Sequence, residues 1–299
     1  MSARRRGSSP TLINDALLRQ WALPKTNPQL GKEARGDVLV VGGSAEIPGA
    51  VQLAATAALR AGAGRVQIAT AGSVALHMAV AFPEARVIGL PEGRDGELGP
   101  GCSAALHAEI DACSALLVGP GMRKSAAELL TYCRKAKTSC PLIVDAGGLH
   151  GLQGRKPALL GYAAGIVATP HAGEMANLWG CERERVQAQP LELALEAAAT
   201  LGVILVLKGA ETFIVAPDGT AFRNLAGNHG LATAGSGDAL SGVIAGLIAR
   251  GAEPLQAAVW GVYLHAKAGE VLARKVGPMG FLARELPGEI PRLLGALCR

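Results

Sequence analysis

Short β-branched runs alternate with Ala- and Gly-rich stretches along most of this chain, and this alternation limits its fold more than any other feature. The runs lie at residues 37–41, 65–70, 115–119, 141–146, 165–169 and 203–209. Helical stretches separate most of them. One of these begins at Pro48 and ends at Gly62, and proline at the start with glycine at the end is typical of a helix. Buried strands that alternate with helices predict a mostly parallel sheet covered on both faces, an α/β fold.

Two segments depart from the alternation. Residues 212–224, TFIVAPDGTAFRN, contain two short strands joined by PDGT, which predicts a hairpin. Residues 11–24 precede the first parallel strand and are predicted to form a short helix that Pro24 ends. Since we find no repeat and no low-complexity linker, we divide the chain into a tail with a short helix, residues 1–30, and one α/β domain, residues 31–299.

Charge and composition exclude several classes of partner. The formal net charge is +5, of which Arg4, Arg5 and Arg6 supply three, so the rest of the 299-residue chain is nearly neutral and lacks a nucleic-acid groove. No apolar run approaches the roughly 18 residues that span a bilayer, and the first ten residues lack the apolar stretch of a signal peptide. The six cysteines form no C-x-x-C pair, which predicts reduced thiols and a cytoplasmic protein.

The segments that follow the predicted strands share an unusual composition. They are GGSAEIPGA, GPGMRKS, DAGGLH, PHAGE and KGAET, and AGSGD follows the hairpin. Nearly every one is rich in glycine or carries a charged or hydroxylated residue. Because ligands of α/β sheets bind beyond the carboxyl ends of the strands, these segments predict one shared cleft.

AGSGD leads directly into a helix that is predicted to begin near Gly237 or Asp238. The apolar positions of this helix have helical spacing and are Leu240, Val243, Ile244, Leu247 and Ile248. The first N–H groups of a helix lack intrahelical partners, and glycines at 235 and 237 leave them open, which predicts a cradle for a phosphate or a developing anion. Gly242 and Gly246 lie one turn apart and predict close contact with a neighbouring helix.

Asp238 lies beside this cradle, where a carboxylate cannot itself bind an anion. It is suited to accept a proton from a hydroxyl that attacks a phosphoryl group. In an isolated GxGD the ordinary interpretation, an acid stabilised at a helix N-terminus, would be preferred. The other strand-end segments favour the catalytic interpretation.

Five motifs occur in an order and spacing that resemble a known family. They are GDVLVVGGSAEIPGAVQLAATAALRAGAGRVQIAT, LLVGPGMRKS, VATPHAGEMANLWG, VLKGAETFIVAPDGTAFRN and NHGLATAGSGDALSGVIAGLIARG. Over roughly residues 30–295 the chain resembles the ADP/ATP-dependent NAD(P)H-hydrate dehydratases of the ribokinase-like superfamily. The resemblance implies a ribokinase-like three-layer α/β/α sandwich with a mostly parallel central sheet.

The resemblance also implies an activity in nicotinamide nucleotide repair. Family members dehydrate the S-epimer of hydrated NADH or NADPH: a nucleoside di- or triphosphate phosphorylates the hydroxyl, and phosphate is then eliminated. The implied enzyme is a carbon–oxygen lyase that uses Mg²⁺ with ADP or ATP, binds no nucleic acid or membrane, and forms a homotetramer. We expect dehydratase activity alone, without a preceding epimerase domain.

Individual residues match family positions. The implied nucleotide-binding residues are Lys208, Gly209, Ala210, Glu211, Thr212, Gly235, Ser236 and Gly237. The implied substrate-binding residues are Ala50, Gly121, His171 and Asp238, and Asp238 is also the catalytic residue. Without the resemblance, Lys208 could equally well be a solvated lysine at a strand end, and His171 could be a structural histidine. Glu174 could either bind Mg²⁺ through water or be an ordinary acid at the start of a helix.

Five positions in the cleft differ from the family pattern and leave the substrate and activity open. They are Ile47, Pro48, Gly147, His150 and Ala234. Two alternatives therefore remain at this point. One is a kinase of the same superfamily that acts on a vitamin or sugar hydroxyl, and the other is a catalytically silent nucleotide-binding protein.

Overall fold

A computed structural model describes residues 9–25, 29, 31–123, 126–136, 139–153, 162 and 164–298. Its centre is one ten-stranded sheet. The strands are β1 (Thr11–Leu12), β2 (Asp37–Val41), β3 (Arg65–Ala71), β4 (Ala85–Leu90), β5 (Ala115–Val118), β6 (Leu142–Val144), β7 (Ile166–Ala168), β8 (Ile204–Leu207), β9 (Thr212–Val215) and β10 (Ala221–Asn224). Their order in the sheet is β1-β10-β9-β8-β7-β6-β5-β2-β3-β4.

All neighbouring strands are parallel except where β9 pairs with β8 and β10, so the predicted mostly parallel sheet and its hairpin are confirmed. Each predicted strand is present, with ends that differ by at most two residues. β4 was not predicted. It lies at an edge of the sheet, where most of its residues are partly or fully exposed, and so lacks a continuous apolar run.

Helices cover both faces. They are α1 (Asp15–Gln20), α2 (Gly49–Ala61), α3 (Gly72–Ala81), α4 (Cys102–Ala105), α5 (His107–Ala112), α6 (Ala127–Ala136), α7 (Ala172–Trp179), α8 (Arg183–Ala188), α9 (Pro190–Leu201), α10 (Ser236–Ala249), α11 (Pro254–Lys275) and α12 (Leu286–Leu297). The apolar core on one face combines α1–α3 with α10–α12, and the core on the other face combines α4–α9. The three-layer α/β/α sandwich is therefore confirmed. In the described part of the chain, no helix combines the length and apolarity needed to cross a bilayer.

Helices α2 and α10 pack in close contact through glycine, as predicted. A Cβ atom at Gly242 would collide with the Ala54 carbonyl, and one at Gly246 would collide with the Ala58 carbonyl. Any larger residue at either position would force the helices apart. This contact fixes the start of α10 next to α2 at the carboxyl edge of the sheet.

The N-terminal segment is packed on the sheet and on α11. β1 pairs with β10, and α1 starts after Asn14, whose side chain accepts a hydrogen bond from the Leu17 N–H at 2.9 Å. Trp260 Nε1 donates to the Trp21 carbonyl at 2.9 Å. The predicted helix over residues 11–24 is thus shorter than expected and follows a two-residue strand, because Thr11 and Leu12 pair with β10. The division of the chain at residue 30 stays a prediction.

Candidate active site

The predicted cleft residues follow β2, β5, β6, β7 and β8 at one edge of the sheet, next to the start of α10. Asp145 follows β6, His171 follows β7, and Lys208 follows β8. The Lys208 N–H donates to the Pro170 carbonyl at 2.9 Å, so the segments after β7 and β8 lie side by side. Strand order therefore brings these side chains together at the start of α10.

Helix α10 begins at Ser236, one or two residues earlier than predicted. Gly235 precedes it with a φ of 85°, a left-handed conformation that favours glycine, and a Cβ there would lie 2.5 Å from the Leu53 side chain. The Ser236 N–H donates to the Thr233 carbonyl at 3.2 Å and is not available to a ligand. Within the described residues, the N–H groups of Gly237 and Asp238 have no acceptor, so the anion cradle is narrower than predicted.

An ion pair between partly buried Lys208 and buried Asp145 lies beside this cradle. Lys208 Nζ is 3.1 Å from Asp145 Oδ1, which also accepts a hydrogen bond from Thr169 Oγ1 at 2.7 Å. Burial opposes the charge on Asp145, but the Lys208 ammonium and the Thr169 hydroxyl outweigh it and lower the Asp145 pKa. Burial likewise opposes the charge on Lys208, but the carboxylates of Asp145 and Glu174 raise the Lys208 pKa. Both partners are therefore charged at neutral pH.

The ion pair faces Gly237 directly. A Cβ at Gly237 would lie 3.2 Å from Lys208 Nζ and 3.9 Å from Asp145 Oδ2. Because Gly237 has no side chain, the Lys208 ammonium lies directly next to the open amides at the start of α10. Together they form a positively polarised surface suited to a phosphoryl group.

Asp238 is partly buried in the first turn of α10. Burial raises its pKa to about 7, the carboxylates of Asp145 and Glu174 add to the rise, and Lys208 opposes it. A carboxylic acid with this pKa can both accept and release a proton at neutral pH, as a general base requires.

His171 and Glu174 cap helix α7. His171 Nδ1 accepts hydrogen bonds from the N–H groups of Gly173 at 3.0 Å and Glu174 at 3.2 Å, while the Glu174 carboxylate accepts from the His171 N–H at 2.8 Å. This arrangement is a capping box, so Glu174 has its helix-start role. Glu174 Oε2 also lies 3.8 Å from Lys208 Nζ, at the edge of the ion pair. The His171 side chain is 60% exposed, and its other nitrogen, Nε2, lies 3.7 Å from Glu174 Oε2.

Ala50 and Gly121 form a second group of predicted residues. Gly121 has a φ of 68°, and a Cβ there would lie 3.0 Å from the Ala50 Cβ. The Ser44 N–H donates to the Gly121 carbonyl at 3.2 Å, which joins the loops after β2 and β5. The contact of Leu53 with Gly235 connects this group to the start of α10.

The remaining nucleotide-binding candidates are at the surface. Gly209, Ala210 and Glu211 are exposed in the turn after Lys208, and Thr212 begins β9. Among the positions that differ from the family, Ile47, His150 and Ala234 are exposed, and Pro48 is half-buried. Gly147 is buried, and a Cβ there would lie 2.8 Å from the Met122 Cβ, so a second acid does not fit.

Two residues at the site were not among the predicted site residues. Thr169 directly follows β7 and donates to Asp145. His265 lies in the middle of α11, with Nε2 3.0 Å from both Ser236 Oγ and the Ser236 carbonyl, and burial lowers its pKa to about 4. A neutral His265 therefore anchors the first residue of α10. Thr169 could have been found as a hydroxyl at a strand end, whereas His265 lies in an apolar helix without any local signal.

The donor set near Lys208 suits Mg²⁺ only in part. Within the ranges that the structure describes, no three His, Cys, Asp or Glu side chains are arranged to hold a metal ion. Asp145 and Glu174 nevertheless place two carboxylates on Lys208 Nζ, at 3.1 Å and 3.8 Å. Mg²⁺ characteristically binds one or two carboxylates together with water and substrate phosphates, so this set fits an ion that arrives with a nucleotide.

The sheet order, the helical layers and the grouped loops define a ribokinase-like α/β protein. The chain belongs to the NAD(P)H-hydrate dehydratase family, whose model matches residues 38–292. The family predicted from the sequence motifs is therefore confirmed.

Individual relatives agree with the family assignment. The chain is 48% identical to the ADP-dependent (S)-NAD(P)H-hydrate dehydratase of Xanthomonas campestris pv. campestris over 288 residues, 96% of this chain and 97% of that protein. It is 39% identical to the bifunctional NAD(P)H-hydrate repair enzyme Nnr of Moorella thermoacetica, over 91% of this chain and 52% of that protein. The crystal structure of the ADP/ATP-dependent NAD(P)H-hydrate dehydratase from Bacillus subtilis, co-crystallised with ATP/Mg²⁺, has a TM-score of 0.81 at 29% identity and covers 98% of this chain and all of that one.

Proposed function

We propose that this protein catalyses the ADP- or ATP-dependent dehydration of the S-epimer of hydrated NADH and NADPH. The observation that carries the proposal is the position of Asp238, with a pKa of about 7, beside two open amides and the Lys208 ammonium. Family membership gives the substrate class, and the geometry supplies a base and a phosphoryl cradle at one point of the cleft.

The chemistry requires activation of a poor leaving group. Asp238 takes the proton of the substrate hydroxyl, and the oxygen attacks the terminal phosphoryl group of the nucleotide, which releases AMP from ADP or ADP from ATP. Phosphate is a far better leaving group than hydroxide. The C–O bond then breaks, phosphate departs, and loss of a proton from the adjacent ring carbon restores the dihydronicotinamide.

Lys208 and the start of α10 stabilise the transferring group. Charge develops on the phosphoryl oxygens during transfer, and fixed donors in a water-poor site stabilise it strongly. The N–H groups of Gly237 and Asp238 and the ammonium of Lys208 are such donors. Asp145 and Thr169 keep Lys208 in place through the ion pair.

Asp145 and Glu174 would hold Mg²⁺ together with the phosphates of the nucleotide. When bound, the ion neutralises phosphate charge and so favours attack by the substrate oxygen. The two residues have other partners in the structure, Lys208 and the His171 N–H, which keep their carboxylates oriented towards the cleft.

The remaining assignments extend the resemblance. We assign Lys208–Thr212 and Gly235–Gly237 to the nucleotide, with Ser236 contributing through its place in the turn and not through its N–H. Ala50, Gly121, His171 and Asp238 are assigned to the hydrated dinucleotide. ADP is the proposed phosphoryl donor, the cytoplasm the proposed compartment, and a homotetramer the proposed assembly.

Incubation of the protein with hydrated NADH, Mg²⁺ and either ADP or ATP tests the proposal. The expected result is recovery of dihydronicotinamide absorbance with release of one phosphate for each NADH formed. The Asp238→Asn variant should bind nucleotide but show no recovery. The proposal is wrong if the wild-type protein restores no NADH under conditions in which an established dehydratase does, and normal turnover by the variant would remove Asp238 as the base.

A further inference from the structure

A cluster of charged side chains joins the loops after β2, β4 and β5, and the mechanism above does not use it. We call it the Arg123 cluster; its members are Glu46, Asp95, Glu97 and Arg123. Glu46 follows β2, Asp95 and Glu97 follow β4, and Arg123 follows β5. Since these strands lie in the order β5-β2-β3-β4, their following loops meet at the carboxyl edge of the sheet.

Arg123 contacts the loop after β2 through one side-chain nitrogen and the loop after β4 through the other two. Its Nε donates to Glu97 Oε1 at 2.8 Å, its NH1 lies 2.8 Å from Glu46 Oε2, and its NH2 donates to the Asp95 carbonyl at 3.4 Å. The Arg123 N–H also donates to Glu97 Oε2 at 3.1 Å. The planar guanidinium can hold several acceptors at fixed angles, which a lysine ammonium cannot do.

Burial differs sharply among the members. The Glu97 side chain is 2% exposed, whereas those of Arg123 and Glu46 are 46% and 62% exposed. A carboxylate buried to this extent depends on its cationic partner, so Glu97 is the anchor of Arg123. Because three of its side-chain nitrogens already have acceptors, Arg123 is better suited to hold loops than to bind an anionic ligand.

The loop after β2 is bonded on both sides by this arrangement. The Ala45 N–H donates to the Gly96 carbonyl at 2.8 Å, and the Gly43 N–H donates to the Pro120 carbonyl at 2.7 Å. This loop ends at α2, where Ala50 packs against Gly121. Displacement of the loop would therefore change the distance between two residues assigned to the substrate.

We propose that Arg123, anchored by buried Glu97, is a positioning residue that holds the loop after β2 in place and so shapes the binding site of the hydrated nicotinamide nucleotide. This inference rests on the proposed function, because it needs that substrate to bind beside Ala50 and Gly121. It assigns Arg123 a role in KM for the hydrate and no role in phosphoryl transfer at Asp238.

Steady-state kinetics of four variants test the inference. Arg123→Met should raise KM for hydrated NADH about ten-fold or more, and Glu46→Gln about three-fold, with kcat and KM for ADP within about two-fold of wild type. Arg123→Lys should lie between Arg123→Met and wild type, since lysine keeps the charge but lacks the planar set of donors that reaches Glu97, Glu46 and the Asp95 carbonyl. Glu46→Gln leaves the Arg123–Glu97 pair intact, so it remains informative if Arg123→Met fails to fold.

Arg86→Met is the matched control. Arg86 also pairs with a glutamate, Glu109, at 3.1 Å and is 64% exposed, but it lies at the opposite end of β4 from these loops. Its kinetic constants should equal those of wild type.

The outcomes separate the inference from the proposed function. A wild-type protein that does not dehydrate the hydrate overturns the proposed function and this inference with it. An active wild type whose Arg123→Met and Glu46→Gln variants keep its KM for the hydrate overturns the inference alone. Equal increases in KM for ADP and for the hydrate also overturn it, since they indicate general loosening of the cleft.

Discussion

Replacing Asp238 with asparagine should lower activity and raise stability together, because the same electrostatic feature controls both. Burial and the carboxylates of Asp145 and Glu174 raise the Asp238 pKa from its ordinary value of 3.8 to about 7. A folded-state pKa above the unfolded value means that the folded protein binds this proton more tightly. The free energy of unfolding therefore falls as pH rises from about 4 to about 7, and the loss is complete above that range.

The size of this loss follows from the pKa. At about 1.4 kcal/mol for each tenfold change in proton affinity, the full cost above pH 7 is about 4 kcal/mol. Asp238 is only partly buried, so we discount this to about 1–3 kcal/mol for solvent screening. A domain of this size changes its Tm by about 2 °C per kcal/mol, which gives a rise of about 2–6 °C for Asp238→Asn at pH 8. At pH 5 the gain should shrink to about a third.

Thermal unfolding of both proteins at pH 5 and pH 8 measures this difference, and the hydrate assay measures the loss of the base, expected at about 10²–10⁴-fold in kcat. Asp218→Asn is the control, because the effect of Asp218 on stability should depend on pH in the opposite direction. A hydrogen bond from the Thr220 N–H lowers the Asp218 pKa, so its stabilising effect is present above the unfolded pKa and disappears as pH falls. An Asp238→Asn variant that is no more stable than wild type at pH 8, or equally stabilised at both pH values, would refute the reasoning.

Three further predictions concern the surroundings of Asp238. Lys208→Met should lower kcat by about 100-fold or more and move the acidic limb of the pH–rate profile to higher pH, because the cation that opposes the raised pKa is gone; an unchanged profile contradicts this. His265→Leu leaves the buried Ser236 hydroxyl without its partner and should cost about 1–3 kcal/mol in urea unfolding while raising KM for ADP; unchanged stability would exclude the anchoring role. Gly242→Val should cost about 1–3 kcal/mol or more, since its side chain would overlap the Ala54 carbonyl; a matched Gly295→Val variant, at a position with open space, should cost less.

The sequence allowed most of the sheet to be predicted because its central strands are buried on both faces. Such strands appear as continuous apolar runs, and β2, β5 and β8 are examples. β4 has no such run, because its edge position leaves Arg86 and Gly89 exposed. β1 has only two residues and exists through pairing with β10, which no local pattern of residues 11–12 could indicate.

The site was predictable where one segment carries the whole signal. AGSGD followed by an apolar helix contains both the glycines and the acid, and the structure places them at the start of α10 as expected, apart from the earlier helix start. Pairs that depend on strand order were not predictable. Asp145 and Lys208 are 63 residues apart and meet only because β6, β7 and β8 are neighbours in the sheet. Arg123 and Glu97 meet for the same reason, through the order of β5, β2, β3 and β4.

The balance of charge around Lys208 relates the raised pKa of Asp238 to the glycine at position 147. The carboxylates of Asp145, Glu174 and Asp238 all interact with one ammonium group, so the site has an excess of negative charge and Asp238 holds its proton up to neutral pH. A further acid at position 147 would increase this excess and has no room beside Met122. Gly147 is therefore compatible with catalysis. A base with a still higher pKa would already be protonated at neutral pH and could not accept the proton of the substrate hydroxyl.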